Sequence, residues 1–147
     1  MKFADFHPGQ IIEAGPHRVS EDELRGFARD WDPQWFHTDP EAAAEGIFGG
    51  LIASGWHTCA IAMRLAVQAA LEGSESFASP GLQYVRWPNP VRPGDALRLH
   101  AEVIEARRSA SKPRLGILRW RWQLINQHGA QVLDTEVTSL FRLAAPG

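Results

Sequence analysis

Two hydrophobic periodicities divide the chain. From Ser54 to Leu71 apolar residues cover nearly the whole circumference of a helix, and Arg64, Gln68 and Glu72, spaced by four, form one narrow polar stripe. The stretch has no proline and is rich in alanine, which has no side-chain entropy to lose on helix formation. Ser54 is placed to act as N-cap and Gly73 to adopt the left-handed conformation beyond the C-terminus. Such a helix runs roughly 26 Å and is predicted to be buried on most sides. From Leu82 onward the pattern changes to alternation. A strand is predicted over Leu82–Trp87 and another over Leu97–Val103, where Leu97, Leu99, Ala101 and Val103 alternate with polar neighbours. A third carries Leu118, Trp120, Trp122 and Leu124 on one face, and a last strand runs from Gln131 to Leu143. Short turns at Val91–Asp95, Ser109–Pro113 and Gln127–Gly129 join them, as expected of an antiparallel meander.

The first part of the chain is more broken. A strand is predicted around Gln10–Ala14 and a second near His17–Val19. Ser20 and Glu23 have capping-box spacing, in which each side chain satisfies a free backbone N–H of the first turn. Leu24, Phe27, Ala28 and Trp31 follow at helical spacing. That helix ends near Trp31, because Asp32 precedes Pro33 and is biased away from helical geometry. Asp39-Pro40 opens a second short helix that Gly46 stops, and Asp32–His37 between the two reads as a loop. Gly46–Gly50 supplies flexible backbone before the long helix. The whole is an α+β chain, one domain over 1–147, with an antiparallel sheet wrapped around a long central helix.

A length of 147 residues suffices for one substantial core, and a net charge of −2 gives no general attraction to nucleic acid or membrane. A membrane span is excluded for the long helix, since His57, Arg64 and Gln68 would lie in hydrocarbon. The single cysteine, Cys59, leaves no internal disulfide and reads as a small buried hydrophobe; with no signal pattern at the N-terminus, a cytoplasmic location is expected. Trp120 and Trp122 fall on the apolar face of their strand, which makes them core residues rather than nucleobase platforms. One charge asymmetry stands out. Ala106–Leu133 has no acid but carries six cations, Arg107, Arg108, Lys112, Arg114, Arg119 and Arg121. It is either a solvated hairpin face or a dock for phosphates, with Arg107 and Arg108 as the candidate contacts.

The motif A-R-x-x-D-P-Q-x-F-H-x-D-P-x-x-A, followed by G-L-I-A-S-G-W-H-T, resembles the MaoC-like branch of the hotdog fold. That branch contains (R)-specific enoyl-CoA hydratases and related dehydratases. The likeness extends over nearly the whole chain, to the Val91-Arg-Pro-Gly-Asp95 turn. It implies catalysis by an acid and an imidazole with four residues between them, before the central helix, and Asp32 and His37 match. Gln34 and Trp35 stand where the family usually has Asn-Pro. Ser54-Gly55 stands for its His-Gly, and Ala60 for a serine of characterised hydratases. The resemblance also implies a homodimer or larger homo-oligomer.

The chemistry fits these residue types. Adding water to a trans-2-enoyl thioester, or removing it from a 3-hydroxyacyl thioester, needs a base for the water and an acid for the α-carbon. A carboxylate and an imidazole supply them. The thioester oxygen gains negative charge and needs preorganised donors, which the N–H of Gly55 at a helix N-terminus can provide. Ser54, Gly55 and Trp56 are therefore the expected substrate-binding residues, with His57 as a polar wall and Asp30 as the alternative acid. The substrate is expected to be an acyl group on coenzyme A or on acyl carrier protein. No metal or redox cofactor is expected, and coenzyme A enters only as part of the substrate. Two other functions stay open: a hotdog thioesterase, or a non-catalytic acyl-thioester-binding subunit.

Overall fold

Alternation of large apolar residues builds one antiparallel sheet, in strand order β1-β3-β4-β5-β2, in a computed structural model that describes residues 1–147. The strands are β1 (Ile11–Arg18), β2 (Ser76–Arg86), β3 (Ala96–Arg108), β4 (Leu115–Ile125) and β5 (Gln131–Arg142). The inner face of β4 buries Leu118, Trp120, Trp122 and Leu124, as the sequence pattern predicts. On β3 the small or branched Ala101 and Val103 stand opposite Trp122 and Trp120, so the large rings have room. Trp120 Nε1 donates to Ser139 Oγ at 3.1 Å, which removes the cost of burying the indole N–H. Burying one such ring, at about 200 Å², contributes roughly 5 kcal/mol before entropy is counted.

The helices are α1 (Glu21–Trp31), α2 (Trp35–Thr38), α3 (Pro40–Ala44) and α4 (Gly55–Ala66), the last continuing as a π-helical turn over Val67–Leu71. Ser20 caps α1 by accepting from Glu23 N at 3.1 Å. The reciprocal half of the capping box is absent, because the Glu23 carboxylate binds His17 and His57 instead. Trp31, predicted on the buried face of α1, is 76% exposed at its last residue. Asp39 caps α3 by accepting from Glu41 N and Ala42 N. The expected loop Asp32–His37 contains a full helical turn, α2.

The central helix packs across β1, β3, β4 and β5 and buries Ile61, Ala62, Leu65 and Ala66 in a core shared with the sheet. It is less enclosed than its composition predicts. Trp56, Ala60, Met63 and Val67 form a second stripe that faces outward beside β2. β2 also begins earlier than predicted, at Ser76, despite Pro80 and Gly81. It is an edge strand, where a missing N–H can face solvent, and its register with β5 shifts on both sides of Ala78. No helix is long and apolar enough to cross a membrane.

Candidate active site

The end of α1 and the start of α4 are brought together by backbone pairing. Pro33 ends α1, leaving Asp32 as its C-terminal cap with φ −153° and ψ 68°. The α2 turn then points His37 inward, where it is 4% exposed. Ile52 N donates to Phe36 O at 3.1 Å, and His37 Nδ1 donates to Ile52 O at 2.7 Å, which ties α2 to the segment leading into α4. Ala53 N donates in turn to Val91 O at 2.8 Å, which ties that segment to the turn before β3. Asp32 and His37 thus sit on separate local elements that a common strip of backbone fixes.

Asp32 Oδ2 lies 3.1 Å from His37 Nε2 and accepts from Ser54 Oγ at 2.7 Å. Its other oxygen accepts from Gln34 Nε2 at 2.7 Å. Burial works against the charged carboxylate, but the Gln34 and Ser54 donors and the facing imidazole outweigh it and hold Asp32 below the ordinary carboxylate range. Because Ile52 O can only accept, Nδ1 of His37 carries a proton. Nε2 is therefore the exchangeable position, and it faces the carboxylate. The arrangement sets the Nε2 position of His37 directly against the Asp32 carboxylate.

Asp32 and His37 open into a pocket of about 400 Å³, one wall of which is the run Trp87–Val91. The N–H groups of Gly55 and Trp56, at the free end of α4, find no partner in the protein, and both residues line this pocket. Gly55 is required there: a Cβ would lie 2.5 Å from Trp87 Cε2, and Trp87 Nε1 donates to Gly55 O at 3.0 Å. Trp56 stands edge-on to Trp87, with ring centres 5.8 Å apart. It also lines a second, largely apolar groove of about 650 Å³ between α4 and strands β2, β4 and β5. The two spaces meet at Trp56.

The remaining candidates fall elsewhere. Ser54 is fully buried and does not cap α4; its hydroxyl stands behind Asp32 and acts on that carboxylate rather than on the pocket. His57 is not a wall residue, since it is buried against Phe27, stacked at 4.7 Å, with Nε2 2.9 Å from Glu23. Cys59 is half-buried and, with Ala60, lines the apolar groove. Asp30 is exposed on α1 and lines neither space. Arg107 and Arg108 are at the far end of β3. Arg107 pairs with Glu105, and Arg108 donates to the carbonyls of Pro113 and Ala144. The acid-free run obtains its acids from neighbouring strands: Glu105 and Glu136 hold Arg119, and Asp134 holds Arg121. Sequence reasoning missed Gln34 as a donor to Asp32 and Trp87 as the wall over Gly55. In the sequence Gln34 stands out only as a departure from a family pattern, and nothing local signals Trp87.

Residues 5–118 match the family model described as a MaoC-like domain. The chain is 32% identical over 142 residues to the uncharacterized protein YdeM of Bacillus subtilis, covering 97% of this chain and 99% of that one. It is 38% identical over 88 residues to 3-hydroxyacyl-thioester dehydratase Z of Mycobacterium tuberculosis, 58% of each chain. Among solved structures, the MaoC-like dehydratase from Rhodospirillum rubrum superposes with a TM-score of 0.88 at 36% identity, covering 97% of both chains. The R-hydratase PhaJ1 from Pseudomonas aeruginosa gives 0.78 at 26% identity, covering 97% of this chain and 86% of that one.

Proposed function

The chain belongs to the MaoC-like dehydratase family, with its hotdog fold, and on that premise we propose that it adds water to trans-2-enoyl thioesters or removes it from 3-hydroxyacyl thioesters. The observation that carries this reading is the Asp32–His37 pair, 3.1 Å apart beside the free N–H groups of α4. In the hydration direction Asp32, ionised and fixed by Gln34 and Ser54, takes a proton from the attacking water. His37, which enters the step with a proton on Nε2 as well as Nδ1, delivers the Nε2 proton to the α-carbon, and the proton taken by Asp32 passes back to Nε2 across the 3.1 Å contact to reset the pair. Charge that develops on the thioester oxygen meets the N–H of Gly55 and the positive end of the helix. No step needs a metal or a redox cofactor.

The acyl chain extends past Trp56 into the apolar groove. Trp56, Met63, Val67, Phe77 and Leu82 leave one side of that region exposed, and β2 is a free edge. A second copy of the chain that covers this side gives a homodimer, and sedimentation as a monomer at micromolar concentration contradicts that assembly. The function itself is tested with a panel of enoyl-CoA substrates of increasing chain length, following loss of enone absorbance with a thiol trap present. Absorbance loss without thiol release is expected. Thiol release would make the protein a thioesterase, and binding without either change would make it an acyl-thioester-binding subunit.

A further inference from the structure

One wall of the pocket that Asp32 and His37 line is a continuous run, Trp87–Val91, and the chain leaves it at Arg92. Arg92 does not itself line the pocket, but its side chain reaches a residue that does. Its Nη1 donates to the carbonyl of Phe48 at 2.7 Å, and Phe48 itself lines the same pocket. The guanidinium is thus fixed between two lining elements, with no other side-chain hydrogen bond to the protein, and the residue is exposed. It takes part in no ion pair. Asp95 is near in sequence, but its carboxylate accepts from the Arg92 backbone N–H at 2.9 Å and from Gln127, not from the guanidinium.

Other arginines in the second half of the chain are held in different ways, and Arg108, like Arg92, donates to carbonyls and takes part in no ion pair. Arg107, Arg119 and Arg121 have carboxylate partners, and Arg86, at the other end of the same wall, lies over the Tyr84 ring at 4.7 Å. Arg92 differs from Arg108 in its anchor: the carbonyl that holds it belongs to Phe48, which lines the Asp32–His37 pocket, and its remaining donors have no partner in the protein. An anchored guanidinium with a free edge is suited to an anion with two oxygens to offer, above all a phosphate. We propose that Arg92 receives a phosphate of the carrier that brings the acyl group to the Asp32–His37 pocket. This rests on the thioester reading above. Coenzyme A and a phosphopantetheine-bearing carrier protein both present such a phosphate, at different points along the carrier.

The test compares three thioesters of the same enoyl acid: on pantetheine, which has no phosphate, on 4′-phosphopantetheine, and on coenzyme A. Arg92→Gln keeps an N–H for the Phe48 carbonyl while removing the charge. It is expected to raise KM for a phosphate-bearing thioester about tenfold more than KM for the pantetheine thioester, with Arg92→Lys recovering part of the difference. A selective rise already present with 4′-phosphopantetheine assigns the contact to the phosphate that carrier proteins share. A rise with coenzyme A alone assigns it to the nucleotide end. Equal changes for all three, or no change in Arg92→Gln, would overturn the proposal and leave Arg92 as a tether for Phe48. Dissociation constants of coenzyme A and of pantetheine, read from quenching of tryptophan fluorescence, give the same comparison without turnover. If the wild type hydrates nothing, the proposed reaction falls while Arg92 is still judged by binding.

Discussion

Among the carboxylate–imidazole pairs of the protein, one at the end of α1 and one between α1 and α4 are equivalent by distance alone. His37 Nε2 lies 3.1 Å from Asp32, and His57 Nε2 lies 2.9 Å from Glu23. Their surroundings differ in every other respect. His37 has its second nitrogen fixed on the Ile52 carbonyl, whereas Nδ1 of His57 is buried without a partner. Asp32 is held by two further donors and opens on a pocket beside free helix N–H groups. Glu23 is shared between two histidines, and His57 is stacked flat on Phe27. In the proposed reaction the first pair moves a proton to something that enters, while the second holds α1 against α4. Proximity of an acid and an imidazole does not identify a site. Access, and the fate of the other ring nitrogen, do.

Three measurements probe that contrast. The largest effect among supporting residues is expected at Ser54. Ser54→Ala removes a donor that favours ionised Asp32, so the Asp32 pKa rises. The acid limb of the kcat/KM profile then moves to higher pH, and kcat falls about tenfold, the worth of one charge-assisted hydrogen bond. An unmoved acid limb would mean that Asp32 is not the base. A smaller effect belongs to the second pair. Burial holds the His57 pKa below its ordinary value, against the pull of Glu23. The unfolded chain therefore binds more protons than the fold as pH falls through about 6.5, and stability is lost on the acid side. Chemical denaturation of wild type and His57→Leu between pH 7.5 and 5 reads this as a shallower slope in the variant, and an identical slope would remove His57 from the account. The smallest effect is expected from reversal of Arg107, which sits at the distant end of β3 in a pair with Glu105. KM for the coenzyme A thioester is expected to change less than twofold, and a selective rise would place that strand end near a bound carrier.

The sheet centre was legible because β3 and β4 bury one face and wet the other, so Leu97 to Val103 and Leu118 to Leu124 alternate without exception. Asp32 and His37 were legible as a pair because Pro33 marks where α1 ends. The polar partners were not. Ser54 has the identity and place of an N-cap, and only the fold reveals that Asp32 comes within 2.7 Å of its hydroxyl. Glu23 completes a capping box in sequence, yet two imidazoles outcompete a backbone N–H for its carboxylate. The outward stripe Trp56, Ala60, Met63 and Val67 is as apolar as the inward one, so composition could not tell a core face from a groove wall. The Ser76–Gly81 half of β2 carries Pro80 and Gly81, which argue against a strand everywhere except at a sheet edge.

The central claim is that only the Asp32–His37 pair does chemistry. It is tested most directly by kcat for hydration of the best enoyl thioester in Asp32→Asn and Glu23→Gln, measured side by side. Both changes swap a carboxylate for its isosteric amide next to a histidine. The account predicts a loss of at least about 100-fold in Asp32→Asn, because a positioned base contributes about 10²–10⁴-fold, and a loss of less than about threefold in Glu23→Gln. Near wild-type turnover in Asp32→Asn, or an equal collapse in folded Glu23→Gln, would contradict it.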